Sequence, residues 1–146
     1  MQKKETGVEL QKRGCNCAQA TLMAMDDVSG LAPETACRVA CGFGGGMRAG
    51  ELCGAATGAV MAIGMALGNR TPEDKQTREK ADAAVVEFNR RFKERFGTLI
   101  CRELIGADSS TPEGKKELAE HPEKKAVCPT LVTEAERIAR DILAER

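Results

Sequence analysis

Apolar residues recur at helical spacing along most of this chain. The clearest stretch ends at Gly97 and has its apolar positions at Ala81, Ala84, Val85, Phe88, Phe92 and Phe96. Charged residues fill the positions between them, which is typical of an amphipathic helix with one buried face. No segment alternates apolar and polar residues for long enough to predict a strand. The pattern therefore predicts an all-α protein.

Capping residues and glycines set the predicted helix boundaries. Asn16 is a candidate N-cap, Pro33 suits a first turn, and Thr71 and Pro72 form a strong start signal. The predicted helices are Glu5–Lys12, Cys17 to about Val28, Pro33–Cys41, about Leu52–Leu67, Pro72–Phe96 and Pro129 to about Leu143, with short candidates at Leu99–Leu104 and Pro112–Glu120. We expect one domain over residues 1–146, a bundle of about five to seven helices with a Gly-rich loop before a central buried helix.

Charge and composition narrow the class of protein. Lysine plus arginine and aspartate plus glutamate number 22 each, and the chain has no Trp and no Tyr. This argues against a nucleic-acid-binding surface, which needs a basic excess and benefits from aromatic stacking. The first 14 residues contain no apolar run typical of a signal peptide. The run Leu52–Asn69 is shorter than the ~20 residues of a membrane span. We expect a cytoplasmic protein without a membrane or nucleic-acid partner.

Seven cysteines carry the chemistry that the sequence offers. An odd number in a reducing compartment disfavours a disulfide framework. Four of them fall at predicted helix N-termini: Cys17 after Asn16, Cys53 in a first turn, Cys101 after the candidate cap Thr98, and Cys128 as a candidate cap itself. A helix N-terminus has free N–H groups and a positive dipole end, which favour a thiolate or an anionic metal–thiolate cluster. For Cys15, Cys37 and Cys41, packing or chance is the simpler interpretation.

Cysteine spacing excludes several familiar motifs. The chain has no CxxC of a thioredoxin or zinc ribbon, no ferredoxin-like CxxCxxC run, and no CxxCH for haem attachment. Any site must be assembled from distant segments by the fold. Four thiolates suit a [2Fe–2S] or [4Fe–4S] cluster or a structural zinc ion. Two of them could instead cycle between dithiol and disulfide.

A glycine-rich segment follows Cys41 and precedes Cys53 in the sequence. The segment GFGGGM is neither a Walker A motif nor the glycine motif of a dinucleotide-binding fold. A tight turn explains it, and so does close backbone approach to a sulfur-rich site, where N–H groups can bond to sulfur. We predict that Gly44, Gly45, Gly46 and Gly54 bind the cofactor on this basis. Gly54 and Gly58 also predict tight helix packing, and His121, in a charged segment, is predicted to lie on the surface.

Four segments together resemble a known family. They are GCNCAQA with Cys17, CGAATG with Cys53 after GFGGGM, RFGTLICREL with Cys101, and VCPTLVTEA with Cys128. In this order they resemble the C_GCAxxG_C_C family of redox-active proteins, over nearly the whole chain from Gly14. A similar module occurs in the N-terminal part of split-Soret cytochromes, where it is associated with an iron–sulfur centre.

The resemblance implies a redox function for the four matching cysteines. We expect electron transfer through an iron–sulfur cluster on Cys17, Cys53, Cys101 and Cys128, with an oxidoreductase as the redox partner. Two alternatives stay open: a thiol–disulfide redox protein that uses two of these cysteines, and an interaction module with structural zinc. Cys41 abuts the glycine loop and is the candidate substitute ligand. We also expect a homodimer, because the helices can leave an apolar stripe exposed.

Overall fold

The computed structural model describes residues 4–146, and within them the fold is all-α, as predicted. The predicted single domain also includes residues 1–3, which lie outside the described residues. Nine α-helices are present in the described part of the chain: α1 Gly7–Lys12, α2 Cys17–Ala24, α3 Asp26–Ser29, α4 Pro33–Ala40, α5 Gly54–Leu67, α6 Lys75–Phe96, α7 Cys101–Ile105, α8 Pro112–Glu120 and α9 Cys128–Ala144. Residues 4–146 contain no strand, and a lone antiparallel bridge joins Leu52 to Ile100.

One predicted helix is divided in the structure. The segment predicted as a single helix from Cys17 to Val28 breaks at Met25, whose backbone leaves the helical region at φ −102° and ψ 31°. A short α3 follows and ends at Gly30 in the left-handed region. Glycine adopts this conformation without the Cβ clash that penalises other residues. The break accounts for the ninth helix.

The start of the longest helix was predicted three residues too early. Thr71 and Pro72 form a turn that leads into α6, and the N-cap is Asp74, whose side chain accepts a hydrogen bond from the Thr77 amide at 3.1 Å. Aspartate caps a helix at least as well as threonine. The buried face is as predicted: Phe88 and Phe92 are fully buried and Gly97 ends the helix in the left-handed region.

The Gly/Ala-rich helix α5 lies at the centre and packs against α2, α6 and α9. Its buried residues include the glycines Gly54 and Gly58. A Cβ at Gly58 would lie 2.7 Å from the Ala18 carbonyl oxygen, and one at Gly54 would lie 3.1 Å from the Ala18 amide nitrogen. The predicted close packing is therefore confirmed, and it brings α5 against α2.

The loop between α4 and α5 has an uncommon backbone. After a 3₁₀ turn at Cys41–Phe43, four successive residues have positive φ: Gly45, Gly46, Met47 and Arg48. We call Gly45–Arg48 the left-handed turn. Glycines accept this conformation, whereas Met47 and Arg48 are strained by about 1–2 kcal/mol each.

No helix in residues 4–146 is long and apolar enough to cross a membrane.

Candidate functional site

The four cysteines predicted from the sequence line one cavity. It has a volume of about 440 Å³ and lies where α2, α5, α7 and α9 begin. Cys53 is buried, and Cys17, Cys101 and Cys128 are half-buried. These residues come from segments up to 111 positions apart in the chain, so the fold alone brings them together. We call this space the cysteine cavity.

Cys17 and Cys128 each occupy the first position of a helix. Asn16 caps α2 in a capping box with Gln19: the Asn16 side chain accepts from the Gln19 amide at 2.9 Å, and the Gln19 side chain accepts from the Asn16 amide at 3.1 Å. Pro129, which follows Cys128, suits the first turn of α9 because its missing N–H has no helical partner there. Local sequence therefore fixes both thiols at helix N-termini.

Backbone pairing between two loops holds the other two cysteines. The Cys53 amide donates to the Leu99 carbonyl at 2.8 Å, and the Cys101 amide donates to the Glu51 carbonyl at 2.5 Å. Between them lies the bridge that joins Leu52 to Ile100. Residues 51–53 and 99–101 are therefore fastened side by side, with Cys53 and Cys101 at opposite ends of the pairing.

The capping positions differ by one or two residues from those predicted. Cys53 is the N-cap of α5 and does not lie in its first turn. Thr98 does not cap α7; its hydroxyl accepts from the Ile100 amide at 3.0 Å, and Ile100 is the N-cap. Cys128 lies inside α9, and Val127 is the cap. The central prediction holds in spite of these shifts, because each of the four cysteines lies at a helix N-terminus.

Burial reverses the expected effect of the helix N-termini on the thiols. Loss of solvation raises the pKa of Cys53 above its ordinary value, although the nearby Ala55 and Ala56 amides act in the opposite direction. Burial, reinforced by the neighbouring cysteines, raises the pKa of Cys101 to about 11. The prediction that these positions favour thiolates is therefore wrong for Cys53 and Cys101 in the protein alone, since desolvation outweighs the dipole.

Cys17 and Cys128 form an interacting pair of thiols. A hydrogen bond from the Cys17 thiol lowers the pKa of Cys128 to about 7, and the positive charge of Lys125 helps. The same hydrogen bond, together with burial, raises the pKa of Cys17. The two groups titrate as one unit.

The three other cysteines have different surroundings. Cys15 also lines the cysteine cavity, and its thiol contacts the Met23 sulfur at 3.8 Å. The Cys37 sulfur accepts from the Gln19 amide group at 3.4 Å. Cys41 is exposed, and its carbonyl accepts from the Asn16 side chain at 3.0 Å. The structure thus places Cys15 in the cavity lining and leaves Cys41, the substitute ligand suggested by the sequence, outside it.

The predicted glycines lie at and beside the cavity. Gly45 and Gly54 line it, whereas Gly44 packs on the Asn16 side chain. A Cβ at Gly46 would lie 2.8 Å from the Cys101 Cβ, so only a glycine allows the left-handed turn to approach this cysteine so closely. Whether these glycines contact a cofactor stays a prediction. His121 is on the surface, as predicted, and its ring nitrogens lie 3.2 Å from a Glu123 oxygen and 3.9 Å from a Glu117 oxygen.

The distances between the cysteine sulfurs bear on the kind of metal ion that they could hold. A zinc ion held by four thiolates at about 2.3 Å brings the sulfurs to about 3.8 Å from one another. Among residues 4–146, no three cysteine sulfurs lie within 4.8 Å of one another. With the side chains in this arrangement, no three sulfurs in residues 4–146 are close enough to hold one tetrahedral ion together. A cluster with several metal ions connects sulfurs across a wider gap.

Sequence reasoning missed several residues of the cavity. Gln11 donates its amide N–H to the Cys17 sulfur at 3.5 Å, and its carbonyl oxygen is buried without a partner among the described residues. Arg48, Lys115 and Lys125 also line the cavity. No spacing signal connects these residues with the cysteines. The glycine-rich segment GFGGGM, which directly precedes Arg48, was the one sequence signal near any of them.

The fold and the site define the structural class: this is a small all-α protein in which several cysteines lie together at helix N-termini. The chain belongs to the family described as "Putative redox-active protein (C_GCAxxG_C_C)", whose model matches residues 15–142. No curated protein and no solved structure matches the chain.

Proposed function

We propose that this protein is an electron carrier that binds an iron–sulfur cluster through Cys17, Cys53, Cys101 and Cys128. One observation carries the proposal: four thiols from four distant segments line a single cavity, each at the start of a helix. Membership of a family described as redox-active supports a redox function. The partner is another redox protein, such as an oxidoreductase.

The residues of the cavity fit such a group. Within residues 4–146 its lining contains five thiols and neither a carboxylate nor a histidine. Soft thiolate ligands favour iron–sulfur clusters, zinc and copper(I) over hard cations. Leu104, Ile105, Leu118 and Leu131 form apolar walls that limit access of water.

The protein side of cluster binding begins with proton release. Thiols must lose their protons to act as ligands, and burial makes this costly for Cys53 and Cys101 without a cation. Helix N-termini and the Gln11 amide then stabilise negative charge on the sulfurs. When bound, the cluster supplies one-electron redox chemistry at a potential set by these hydrogen bonds and by burial.

Anaerobic purification followed by visible spectroscopy and analysis of iron, sulfide and zinc tests the proposal. We expect a brown protein that bleaches on reduction, with about two or about four irons per chain and matching sulfide. The spectrum is easy to read, because without Trp and Tyr the protein itself absorbs weakly in the near ultraviolet. A colourless protein with one zinc per chain contradicts the proposal and supports a structural metal site.

The Cys17–Cys128 pair supports a second candidate function, thiol–disulfide exchange. The Cys17 thiol and Lys125 lower the pKa of Cys128, which favours the thiolate, the nucleophilic form of cysteine. Thiol–disulfide exchange would form a disulfide between Cys17 and Cys128 and pass two electrons and two protons to a partner disulfide, whose S–S bond breaks to give two thiols. A metal-free protein whose thiol count falls reversibly by two, and not in Cys17→Ser, identifies this function.

A further inference from the structure

The mouth of the cysteine cavity is positively charged. Three charged side chains line the cavity, Arg48, Lys115 and Lys125, and all three are cations and exposed. The chain as a whole has equal numbers of acidic and basic residues, so this bias is local. We call Arg48, Lys115 and Lys125 the cationic rim.

These cations have no acidic partner in residues 4–146. Their neighbours are paired: Arg102 contacts Glu51 at 2.7 Å, and Lys124 contacts Glu117 at 3.2 Å. No ion pair of this kind involves a residue of the cationic rim. Asp108, which lies close enough to influence Cys101, hydrogen-bonds to the amide and hydroxyl of Ser110 and forms no ion pair with these three cations in residues 4–146. The rim therefore retains its charge for a ligand.

Arg48 is held at the rim by a strained backbone. Its φ of 56° and ψ of 23° place it in the left-handed region, which a residue with a Cβ seldom adopts. Its neighbours Gly45 and Gly46 share this conformation at no such cost. Strained residues cluster at functional sites, so a strained residue beside a cavity is a candidate for ligand binding.

The size and walls of the cavity suit a small molecule. Its volume of about 440 Å³ lies in the range of small-ligand pockets. Ser109 adds a hydroxyl beside the left-handed turn, and Leu104, Leu118 and Leu131 add apolar surface below it. A ligand with one negative end and a compact body would place its charge at the rim.

We propose that the cationic rim binds the anionic group of a small molecule, a carboxylate or a phosphate, and so places that molecule beside the cysteines. Arg48 supplies planar N–H donors that match an oxyanion, and the two lysines supply point charges. The proposal goes beyond electron transfer, because it concerns the mouth of the cavity and applies whether or not a cluster is present.

An NMR titration of the full-length, ¹⁵N-labelled protein, purified anaerobically in Tris buffer at constant ionic strength, tests this. The probes are inorganic phosphate, acetate and the neutral analogue acetamide. We expect saturable shifts of the Arg48 and Ser109 signals with phosphate, with acetate or with both, and none with acetamide. The tighter of the two anions identifies the class of headgroup. Iron content is recorded in parallel, so failure of anion binding and failure of cluster binding are separate results.

Matched variants assign the binding to the rim. Arg48→Gly removes the charge and relieves the strain, and we expect it to weaken binding by about tenfold or more without loss of folding. Met47→Gly changes the same turn without removing a charge, and Arg70→Gln removes an exposed arginine elsewhere; both should bind as the parent does. Linear, unsaturable shifts, or equal affinity in Arg48→Gly and Arg70→Gln, overturn the proposal.

Discussion

At the scale of single residues, two exposed methionines differ in backbone conformation: one lies in the left-handed turn and the other in a helix. Met47 has a φ of 62° and is 59% exposed, so its side chain adds little packing to offset its backbone strain. Met65 is 52% exposed but lies inside α5, where methionine is a good helix former. The identical substitution at these two positions therefore separates backbone strain from side-chain packing.

We expect Met47→Gly to stabilise the protein by up to about 1 kcal/mol, because glycine removes the left-handed strain and loses part of this gain to greater freedom in the unfolded chain. Met65→Gly should destabilise it by about 1 kcal/mol, because glycine is unfavourable within a helix. Urea denaturation of both variants measures the difference. A Met47→Gly protein that is less stable than the parent would show that the turn is not strained.

At the scale of secondary-structure elements, the contact between α5 and α2 depends on Gly58. An added Cβ there would lie 2.7 Å from the Ala18 carbonyl oxygen and 3.1 Å from the Thr21 Cβ. Gly64, in the same helix, is exposed and has nothing within 4 Å of such a Cβ. The two glycines therefore form a matched pair in one helix, one at a close approach and one in open space.

Gly58→Ala should destabilise the protein by about 1–3 kcal/mol, because the two helices must move apart. Gly64→Ala should stabilise it by up to about 1 kcal/mol, because alanine favours the helix and meets no obstacle. Thermal unfolding followed by circular dichroism detects both effects. Equal changes in the two variants would contradict the packing described for α5 and α2.

Elements were predictable from the sequence where the signal was local. Asn16 and Gln19 form their capping box within four residues, Pro112 starts α8 at the predicted position, and the apolar face of α6 follows directly from its spacing. The break at Met25 was not predictable, because no glycine or proline marks it. The start of α6 was misplaced because Thr71 and Asp74 are both good caps, and the choice between them depends on the turn before the helix.

The four cysteines of the candidate site were predictable from the sequence, but its other lining residues and its electrostatics were not. A helix start can be read from neighbouring residues, so four cysteines at four N-termini could be identified in advance. The depth at which each sulfur lies depends on long-range packing, and that depth decides its pKa. This is why burial dominates at Cys53 and Cys101 although the helix dipole suggested the reverse. The rim residues are brought to the cysteines only by tertiary folding.

At the scale of the whole molecule, a long-range ion pair joins an early helix to the last one. Arg140 of α9 donates two hydrogen bonds of 2.9 Å to the two carboxylate oxygens of Asp27 in α3. These hydrogen bonds from Arg140, with Lys4 as a second partner, lower the pKa of Asp27 well below its ordinary value. The Asp27 side chain is 54% exposed, so solvent screening limits what the pair contributes.

Because the pKa of Asp27 is lower in the folded protein, its contribution to stability is present above the unfolded pKa of about 3.9 and is lost as the pH falls below it. Asp27→Asn should therefore cost up to about 1 kcal/mol at pH 7 and almost nothing near pH 2. The control Asp82→Asn removes a carboxylate 3.9 Å from Arg78 and should change little at either pH. Denaturant unfolding at both pH values checks this, and a cost for Asp27→Asn that does not depend on pH would contradict the assignment.

The homodimer expected from the sequence stays a prediction. Several large apolar side chains are exposed, among them Val86 at 67% near the middle of α6 and Val39 at 51% on α4. If α6 forms the interface, Val86→Glu should give a monomer, whereas Val39→Glu should leave the dimer intact. Light scattering over a wide concentration range measures the mass, and a parent protein that is monomeric throughout that range contradicts the prediction.

The central claim is that Cys17, Cys53, Cys101 and Cys128 hold one metal centre. Serine is nearly isosteric with cysteine but is a much poorer ligand for iron, so a serine variant tests ligation with little change in packing. Cys37→Ser and Cys41→Ser are controls outside the cavity lining. Cys15→Ser is the closest control, because its sulfur lines the cavity and contacts Met23.

The direct measurement is iron and sulfide per chain in all seven cysteine-to-serine variants, purified anaerobically under identical conditions. We expect each of the four ligand variants to lose most of its iron, and Cys15→Ser, Cys37→Ser and Cys41→Ser to keep the parent content. Loss of iron in Cys41→Ser, together with full retention in Cys17→Ser or Cys128→Ser, would contradict the ligand set and place the centre around the glycine loop.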